Sequence, residues 1–323
     1  MTPTTPPPSL RACGIRVPCS TSNLGAGFDC LGLALDLYLD AGYEPGSGDL
    51  TIRRAGTLRD LTVKLADDRL VLAFLAELSR RGIQNPGGML LTTSSIPVAR
   101  GLGSSAAATV AGIALAVTAC GDSLDRDAAL AAAMRVEGHP DNAAPALFGG
   151  LMAIAGSGHG VPHAMRLPLS GQVSFVFAAP AEQVSTTRAR TVLPQHVPHS
   201  AAARNLGRMA ALLHGLATAD AESIAIGFSD ELHVPYRLPL IPRAAAALKA
   251  AMAAGAWGAT ISGSGSGLIA ACAADAEAPV AKAMEDAFGG TAAGARAYML
   301  RPDMHGAQPR DVGTLRDALR SAS

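Results

Sequence analysis

The order of apolar and polar residues along the chain predicts both strands and helices. Residues 31–39 place a leucine at every second position, which is typical of a half-buried strand. Residues 69–81 instead repeat leucine at helical spacing, which predicts a helix with one apolar face. Residues 104–119 and 125–137 are rich in alanine and a glycine follows closely after each, so they predict two further helices.

The remaining pattern completes a mixed set of elements and suggests two domains. Further strands are predicted at 13–17, 89–94, 149–154 and 173–178, a strand–turn–strand unit at 257–273, and further helices at 202–218, 243–254 and 279–288. Because strands and helices do not alternate strictly, an α+β arrangement is favoured over a doubly wound sheet. A loose Gly/His/Pro stretch at 156–168 divides the chain. We therefore predict a disordered tail at 1–10, domains at 11–165 and 166–302, and a C-terminal tail at 303–323.

Composition and charge exclude several classes of protein. Lys+Arg and Asp+Glu each number 26, and this zero net charge argues against a nucleic-acid partner or a polybasic membrane surface. A hydrophobic content of 49% excludes a disordered chain. The five cysteines are scattered without a C-x-x-C pair, which favours free thiols in a reducing compartment. The N-terminus has no signal-peptide pattern, and the apolar stretch 106–120 is too short to cross a bilayer, so we predict a cytoplasmic globular protein.

A glycine- and serine-rich segment, 101–105, lies between a predicted strand and the helix 104–119. Glycines allow a tight turn, and the first N–H groups of a helix are unpaired at the positive end of its dipole. The segment could therefore bind an anion such as phosphate. An ordinary turn with capping serines remains the alternative.

Two better-known phosphate loops fit this segment poorly. A P-loop requires a lysine, which the segment lacks. Gly101, Gly103 and Ala106 match the dinucleotide fingerprint literally, but a second helix rather than a strand follows the helix 104–119. A dehydrogenase that binds NAD is therefore the least favoured enzyme class.

Several motifs together resemble the GHMP kinases, a family that includes galactokinase, homoserine kinase, mevalonate kinase and phosphomevalonate kinase. Residues 97–107 resemble the ATP-binding motif of that family, and residues 261–267 resemble its C-terminal glycine motif. Residues 18–29, the run 137–145 with its His-Pro-Asp-Asn core, and residues 184–190 are similar to the homoserine kinase branch, as is 235–237. The resemblance implies an α+β two-domain fold. Its N-terminal, ATP-binding domain is like domain 2 of ribosomal protein S5, with a left-handed crossover, and its C-terminal domain is ferredoxin-like.

The resemblance also implies an activity, namely ATP- and Mg²⁺-dependent phosphorylation of the L-homoserine side-chain hydroxyl to O-phospho-L-homoserine for threonine biosynthesis. Phosphoryl transfer depends mostly on positioning and charge stabilisation, and Mg²⁺ prefers hard oxygen ligands. Ser105 and Glu137 are the implied metal ligands. The implied ATP-binding residues are Pro97, Val98, Ala99, Arg100, Gly101, Leu102, Gly103, Ser104, Ser105, Ala106, Ala107, Leu70 and Val71.

The implied acceptor is an amino acid zwitterion, which needs partners of both charges. Arginine matches a carboxylate with two hydrogen bonds, and Asp29 and Asn23 can accept from the ammonium group. The implied substrate-binding residues are Asn23, Asp29, His139, Arg190, Arg237, Gly263, Ser264 and Gly265. Glu137, His139 and Asn142 are the implied catalytic residues, whereas Asp141 is either a base or a brace for the loop.

Two other functions stay open within the same fold. One is a GHMP kinase that acts on another small alcohol such as mevalonate, and the other is a ligand sensor that binds nucleotide without turnover. A panel of acceptors would separate the first, and the absence of phosphoryl transfer would identify the second. By the resemblance the partners are ATP and L-homoserine, with a homodimer as one possible assembly and no nucleic acid or membrane.

Overall fold

The computed structural model describes residues 9–156 and 163–321, and most of the tail predicted at 1–10 lies outside them. The strands are β1 Cys13–Ser22, β2 Leu31–Glu44, β3 Leu50–Gly56, β4 Gly88–Ser94, β5 Leu151–Ala155, β6 His163–Leu167, β7 Ser174–Ala179, β8 Gly258–Ile261, β9 Leu268–Cys272, β10 Arg296–Leu300 and β11 Gln308–Pro309. The helices are α1 Arg69–Arg80, α2 Ser104–Ala119, α3 Arg126–Glu137, α4 Ala143–Phe148, α5 Thr186–Thr191, α6 His199–Thr218, α7 Ala221–Phe228, α8 Val234–Arg237, α9 Ala244–Ala253, α10 Glu277–Ala287 and α11 Val312–Ser321. The predicted α+β class is confirmed.

The first sheet has the strand order β11-β1-β2-β4-β3, and β5 and β6 extend it from β2. Its strands pair antiparallel except β3 and β4, which are parallel and joined through α1. Alternate leucines of β2, including Leu31, Leu33 and Leu35, are fully buried, as their spacing predicts. A strand–helix–strand unit thus stands at the edge of an otherwise antiparallel sheet.

Helix α2 is buried on almost every side because it packs against β1 and β2 as well as against α1 and α3. Its small residues allow this close packing. A Cβ added at Gly112 would lie 2.3 Å from the carbonyl oxygen of Leu70 in α1. Any larger residue at this position would push the two helices apart, so glycine allows the short distance between α1 and α2.

The second sheet is antiparallel throughout, with the strand order β10-β7-β9-β8. The strands appear in the chain as β7, β8, β9 and β10, with helices between β7 and β8 and with α10 between β9 and β10. This order is that of a ferredoxin-like domain, which confirms the fold expected from the resemblance. One face packs on α10 through Val280 and Met284, while Phe175, Phe177 and Ile269 join the core of the first sheet.

The chain returns to the first sheet near its end. Residues 303–321, predicted as a tail, include β11, which pairs with β1, and α11, which packs on β2 and β4 through Leu315 and Leu319. The predicted boundary at residue 165 falls inside β6, which pairs with β5 in the first sheet. Strand β11 has only two residues, too few for its pairing to produce a pattern in the sequence. Within 9–156 and 163–321, no helix has the length and apolarity that crossing a membrane requires.

Candidate active site

A cleft of about 1110 Å³ is lined by strands of the first sheet and by loops and helices of both halves of the chain. One group of lining residues is apolar and comes from β2, β3, the connection after β3, α1 and the 94–98 segment: Leu39, Ile52, Leu58, Leu61, Val63, Leu70, Ile96 and Val98. Another group is polar or charged: Asn23, Ser104, Ser105, Glu137, His139, Asp141, Asn142, Arg190, Arg237 and Ser264. The cleft can therefore hold a ligand with an apolar ring at one part and charged groups at another.

The predicted anion-binding segment 101–105, here called the anion loop, runs into the first turn of α2, and Gly101, Gly103, Ser104 and Ser105 line the cleft. Gly103 caps the helix with φ +61°, and Gly101 has φ +91°, a region that side chains rarely adopt. A Cβ at Gly103 would also lie 2.3 Å from Ser20 Oγ and 2.9 Å from Asn142 Oδ1. The loop therefore needs glycine for its backbone and for its close approach to β1.

The second glycine-rich segment, 261–267, holds the anion loop from the other sheet. Ser262 Oγ donates to the carbonyl of Gly101 at 2.7 Å, and the N–H of Gly267 donates to that of Arg100 at 2.8 Å. Ser262 Oγ also lies 2.8 Å from Thr21 Oγ1 of β1. These contacts bring the two glycine motifs and the 18–29 segment to one place, as the resemblance implied.

Ser105 and Glu137 lie side by side, although 32 positions separate them. Ser105 Oγ is 3.0 Å and 3.1 Å from the two carboxylate oxygens, and Thr109 Oγ1 is 2.6 Å from Oε1. Ser105 is in the first turn of α2 and Glu137 is the last residue of α3. In the described ranges no group of three or more His, Cys, Asp or Glu could hold a metal, so a metal here would take one carboxylate, hydroxyls and ligand oxygens. Thr109 is not among the predicted site residues, although it lies four residues after Ser105 and hence on the same helical face.

The His-Pro-Asp-Asn turn forms a compact polar group. His139 Nδ1 lies 3.4 Å from Asp141 Oδ1, and Asp141 is 2% exposed. The hydrogen bond to Asp141 raises the pKa of His139, although burial opposes this. Burial raises the pKa of Asp141, but the hydrogen bond and charge of His139, Ser22 and the charge of Arg190 outweigh it and hold this pKa below its ordinary value. Asp141 is therefore ionised, and it favours a protonated His139.

Hydrogen bonds fix the Asn142 side chain at both ends. Its Nδ2 donates to Ser22 Oγ at 2.8 Å, and its Oδ1 accepts from Ser20 Oγ at 3.0 Å. Both serines belong to β1, so the strand determines the orientation of this amide. Asn142 borders the cleft beside Gly103.

The two predicted arginines reach the cleft in different ways. Arg190 in α5 pairs with Asp29 at 3.3 Å, and both side chains are about two-fifths exposed, at 38% and 40%. Arg237 at the end of α8 is 1% exposed and yet lines the cleft. Burial lowers the pKa of Arg237, although the charge of Asp29 opposes this.

Some predicted residues do not line the cleft. Asp29 reaches it only through its pair with Arg190. Arg100 points to the carbonyl of Ala181, while Leu102 and Ala107 are fully buried in the core. The remaining two predicted residues outside the lining are Pro97 and Val71. A contiguous ATP motif thus also contributes residues to the core, because the segment runs into a buried helix.

Asn23 lines the cleft, but its side chain already has partners. Its Oδ1 accepts from the N–H of Asp29 at 2.8 Å, and its Nδ2 donates to the carbonyl of Gly263 at 3.0 Å. The expected contact with a substrate ammonium is thus shared with a structural role. Asn23 has φ +59°, and the amide stabilises this turn.

Much of the apolar lining comes from residues that are not among the predicted site residues. Strand β3 and the residues after it supply Ile52, Leu58, Leu61 and Val63, and an ion pair between Arg54 and Asp68 at 2.7 Å stands among them. Alternating Leu50 and Ile52 were the available signal for β3. Arg69 lines the cleft too and donates to the carbonyl of Val136 at 3.4 Å.

Two family models match segments of the chain that contain residues of this site. The family model "GHMP kinases N terminal domain" matches residues 69–150, which include the anion loop and Glu137. The model "GHMP kinases C terminal" matches residues 202–290, which include Arg237 and the second glycine motif. The two matched ranges thus both contribute residues to the lining of one cleft.

Similar proteins extend the match over most of the chain. Homoserine kinase of Parasynechococcus marenigrum is 38% identical over 305 residues, which cover 93% of this chain and 96% of that protein. Homoserine kinase of Thermus thermophilus is 38% identical over 270 residues, which cover 84% and 90%. A crystal structure of homoserine kinase from Cytophaga hutchinsonii has a TM-score of 0.81 at 27% identity and covers 93% of this chain and 97% of its own.

More distant structures share the fold. The mevalonate kinase of L. major, in complex with R-mevalonate, has a TM-score of 0.67 at 13% identity and covers 92% of this chain and 95% of its own. Because the two family models match residues 69–150 and 202–290 and the relatives at 38% identity cover most of the chain, this chain belongs to the GHMP kinase family.

Proposed function

We propose that the chain is an ATP-dependent homoserine kinase, which phosphorylates the side-chain hydroxyl of L-homoserine to O-phospho-L-homoserine for threonine biosynthesis. The observation that carries the proposal is the cleft itself. Its lining includes the Ser105–Glu137 pair, Arg190 and Arg237, and Asp29 pairs with Arg190, which supports binding of an amino acid zwitterion near a phosphate site. The identity of 38% to homoserine kinases over most of the chain supports the same substrate.

The nucleotide would lie along the cleft, from the beginning of α2 to the apolar lining. Its triphosphate suits the N–H groups at the start of α2, where Gly101 and Gly103 allow a close approach without a basic residue. Its adenine suits the apolar lining around Leu70 and Val98. The chain therefore binds a polyanion at zero net charge, through oriented backbone dipoles.

Glu137 and Ser105 offer two hard oxygen donors that line the cleft side by side, so this donor set fits Mg²⁺. Mg²⁺ bound there with the nucleotide would neutralise charge that develops on the phosphates. Thr109 donates to Glu137 and would orient its carboxylate. These residues bind and align; they do not react.

The acceptor would be held by charge at both of its ends. Arg190 and Arg237 suit the carboxylate of homoserine, and Asp29 suits its ammonium group. Mevalonate has a carboxylate but no ammonium group, so Asp29 favours the amino acid as substrate. Asp29 and Arg190 now pair with each other. A bound zwitterion would separate them, with its ammonium group at Asp29 and its carboxylate at Arg190.

Chemistry then follows from position. The hydroxyl oxygen forms a bond to the γ-phosphorus, the bond to the β,γ-bridging oxygen breaks, and ADP and one proton are released. Asp141 is a poor base because its pKa is held low by His139. We infer that Asp141 instead orients His139, and that His139 donates a hydrogen bond to the transferred phosphoryl group. Asn142, fixed by Ser20 and Ser22, would orient the hydroxyl.

The test is ADP release by the purified chain with MgATP and a panel of acceptors. We expect release that depends on L-homoserine, together with a phosphorylated amino acid as product. Mevalonate as the preferred acceptor would support the other kinase, whereas nucleotide binding without ADP release with any acceptor would identify a sensor. Either outcome rejects the proposed function.

A further inference from the structure

Beside the cleft, Arg237 is a buried cation without a carboxylate partner. It is 1% exposed, and in the described part of the chain no carboxylate oxygen lies within 4.0 Å of its guanidinium. A buried charge is costly unless its hydrogen bonds are satisfied. The contacts that hold this guanidinium therefore determine how it can receive an anion.

Three of these contacts are hydrogen bonds to neutral acceptors. Nε donates to the carbonyl of Ala189 at 3.0 Å, and Nη1 lies 3.4 Å from Nδ1 of His233 and 3.5 Å from the carbonyl of Gly263. The N–H groups of Nη2 have no protein partner among residues 9–156 and 163–321, and Arg237 lines the cleft. The edge at Nη2 is thus the one that remains for a ligand.

His233 is fully buried and its environment fixes one neutral tautomer. Nε2 lies 3.2 Å from the carbonyl of Gly25, which can only accept, so Nε2 carries the proton and Nδ1 keeps its lone pair for Arg237. Burial lowers the pKa of His233 to about 4, although the charge of Asp230 opposes this. A protonated ring would lose the acceptor at Nδ1 and place a like charge beside the guanidinium.

Neighbouring groups hold the side chains of His233 and Arg237 in place. Asp230 accepts from the backbone N–H groups of His233 and Val234, at 2.7 Å each, and so fixes the start of α8. His233 and Arg237 are four residues apart and lie on one face of this turn. The ring of Phe28 stacks on His233 with centroids 5.0 Å apart and lies 5.0 Å below the Arg237 guanidinium.

We propose that His233 is a positioning residue, whose neutral imidazole accepts from Arg237 and turns the free edge of the guanidinium towards the substrate carboxylate. The proposal rests on the proposed function for the identity of that carboxylate. His233 does not touch the reacting atoms. Its hydrogen bond to Gly25 also ties this arginine to the turn that carries Asp29, so the two charges that suit the zwitterion are held by one connected group.

Two variants separate this role from simple packing. His233→Asn keeps an acceptor at the place of Nδ1 and loses the donor to Gly25, whereas His233→Gln keeps a donor near Nε2 and loses that acceptor. We expect His233→Gln to raise the KM for homoserine roughly tenfold, with the KM for ATP unchanged, because a hydrogen bond to a charged group is lost. We expect His233→Asn to stay within about twofold of the natural chain.

Equal effects of the two variants, or an equal rise in the KM for ATP, would overturn the proposal. A second measurement needs no variant. In the natural chain labelled with ¹⁵N-histidine, we expect one imidazole that is still neutral at about pH 5, with its proton on Nε2. A proton on Nδ1 of that ring rejects the hydrogen bond to Arg237.

Different results would reject the proposed function and the positioning role of His233. If the natural chain phosphorylates homoserine but the two variants do not differ, His233 has no positioning role and the proposed function stands. If the natural chain does not phosphorylate homoserine, the proposed function fails, and the ¹⁵N spectrum still decides whether His233 accepts from Arg237.

Discussion

Ser105 Oγ lies 3.0 Å from Oε1 of Glu137, so the beginning of α2 and the end of α3 meet at one hydroxyl–carboxylate pair. The positive end of the α2 dipole and the glutamate carboxylate stand together at this point. A metal–phosphate complex suits both charges, since its cation can contact Glu137 while its anion faces the helix. The pair therefore links nucleotide binding to the chemistry proposed for the cleft.

Replacing Glu137 tests this pair. Glu137→Gln keeps an oxygen and the approximate shape but removes the charge, so we expect kcat to fall by about 100-fold. We also expect the Mg²⁺ concentration for half-maximal rate to rise, while the KM for homoserine changes little. The control is Glu222→Gln, an exposed glutamate in α7 that does not line the cleft. An unchanged Mg²⁺ requirement in Glu137→Gln would reject the metal site.

The anion loop predicts a second effect. Gly103→Ala introduces a Cβ 2.3 Å from Ser20 Oγ at a positive φ, so we expect a loss of stability of about 1 to 3 kcal/mol and a higher KM for ATP. Gly207→Ala is the matched control, because this exposed helical glycine has nothing within 4 Å of an added Cβ. There we expect a gain of about 0.5 to 1 kcal/mol, measured by urea unfolding. Equal destabilisation by both substitutions would contradict the packing of the loop.

Elements with strong local patterns were predictable from the sequence. Helix α2 occupies residues 104–119 as predicted, because glycines stand near both ends of an alanine-rich run. Strand β3 was not predicted, since LTIRRAG alternates weakly and the strand gains its partner only when α1 brings β4 beside it. The sequence does not predict that β11 and α11 join the first sheet, because these contacts connect distant positions, almost 300 residues apart for β11 and β1.

The residues of the candidate site were likewise predictable only in part. The resemblance identified Ser105, Glu137, Arg190 and Arg237, and the structure places all four on one cleft. It did not indicate His233, because that contact requires the turn at Gly25 to meet α8 across more than 200 positions. Burial of an arginine cannot be read from a local pattern, since arginine is usually exposed.

Arg190 gives a prediction with a neighbouring control. Arg190→Ala removes a charge-assisted contact to the substrate carboxylate, so we expect the KM for homoserine to rise about 10- to 100-fold with the KM for ATP unchanged. Stability should change by less than about 1 kcal/mol, because the pair with Asp29 is exposed. Arg188 lies in the same helix, is exposed and does not line the cleft, so Arg188→Ala should leave both KM values unchanged. A similar rise in both variants would reject a specific role for Arg190.

His233 makes the stability of the chain depend on pH. Burial lowers its pKa to about 4 in the folded chain, against about 6.5 for an exposed histidine, and the charges facing the ring are Asp230 and Arg237. Between these values the unfolded chain binds more protons, so the free energy of unfolding falls as the pH drops through this window. Above about pH 7 both states are neutral at this residue, which then contributes no pH dependence.

The non-titrating variant His233→Asn measures this contribution. We compare urea unfolding of the natural chain and the variant at about pH 7.5 and about pH 4.5. The natural chain should lose more stability on acidification than the variant, by up to about 3 kcal/mol, because only the natural chain must keep a histidine neutral in the acid range. Equal losses in the two proteins would mean that His233 protonates as readily in the folded chain as in the unfolded one.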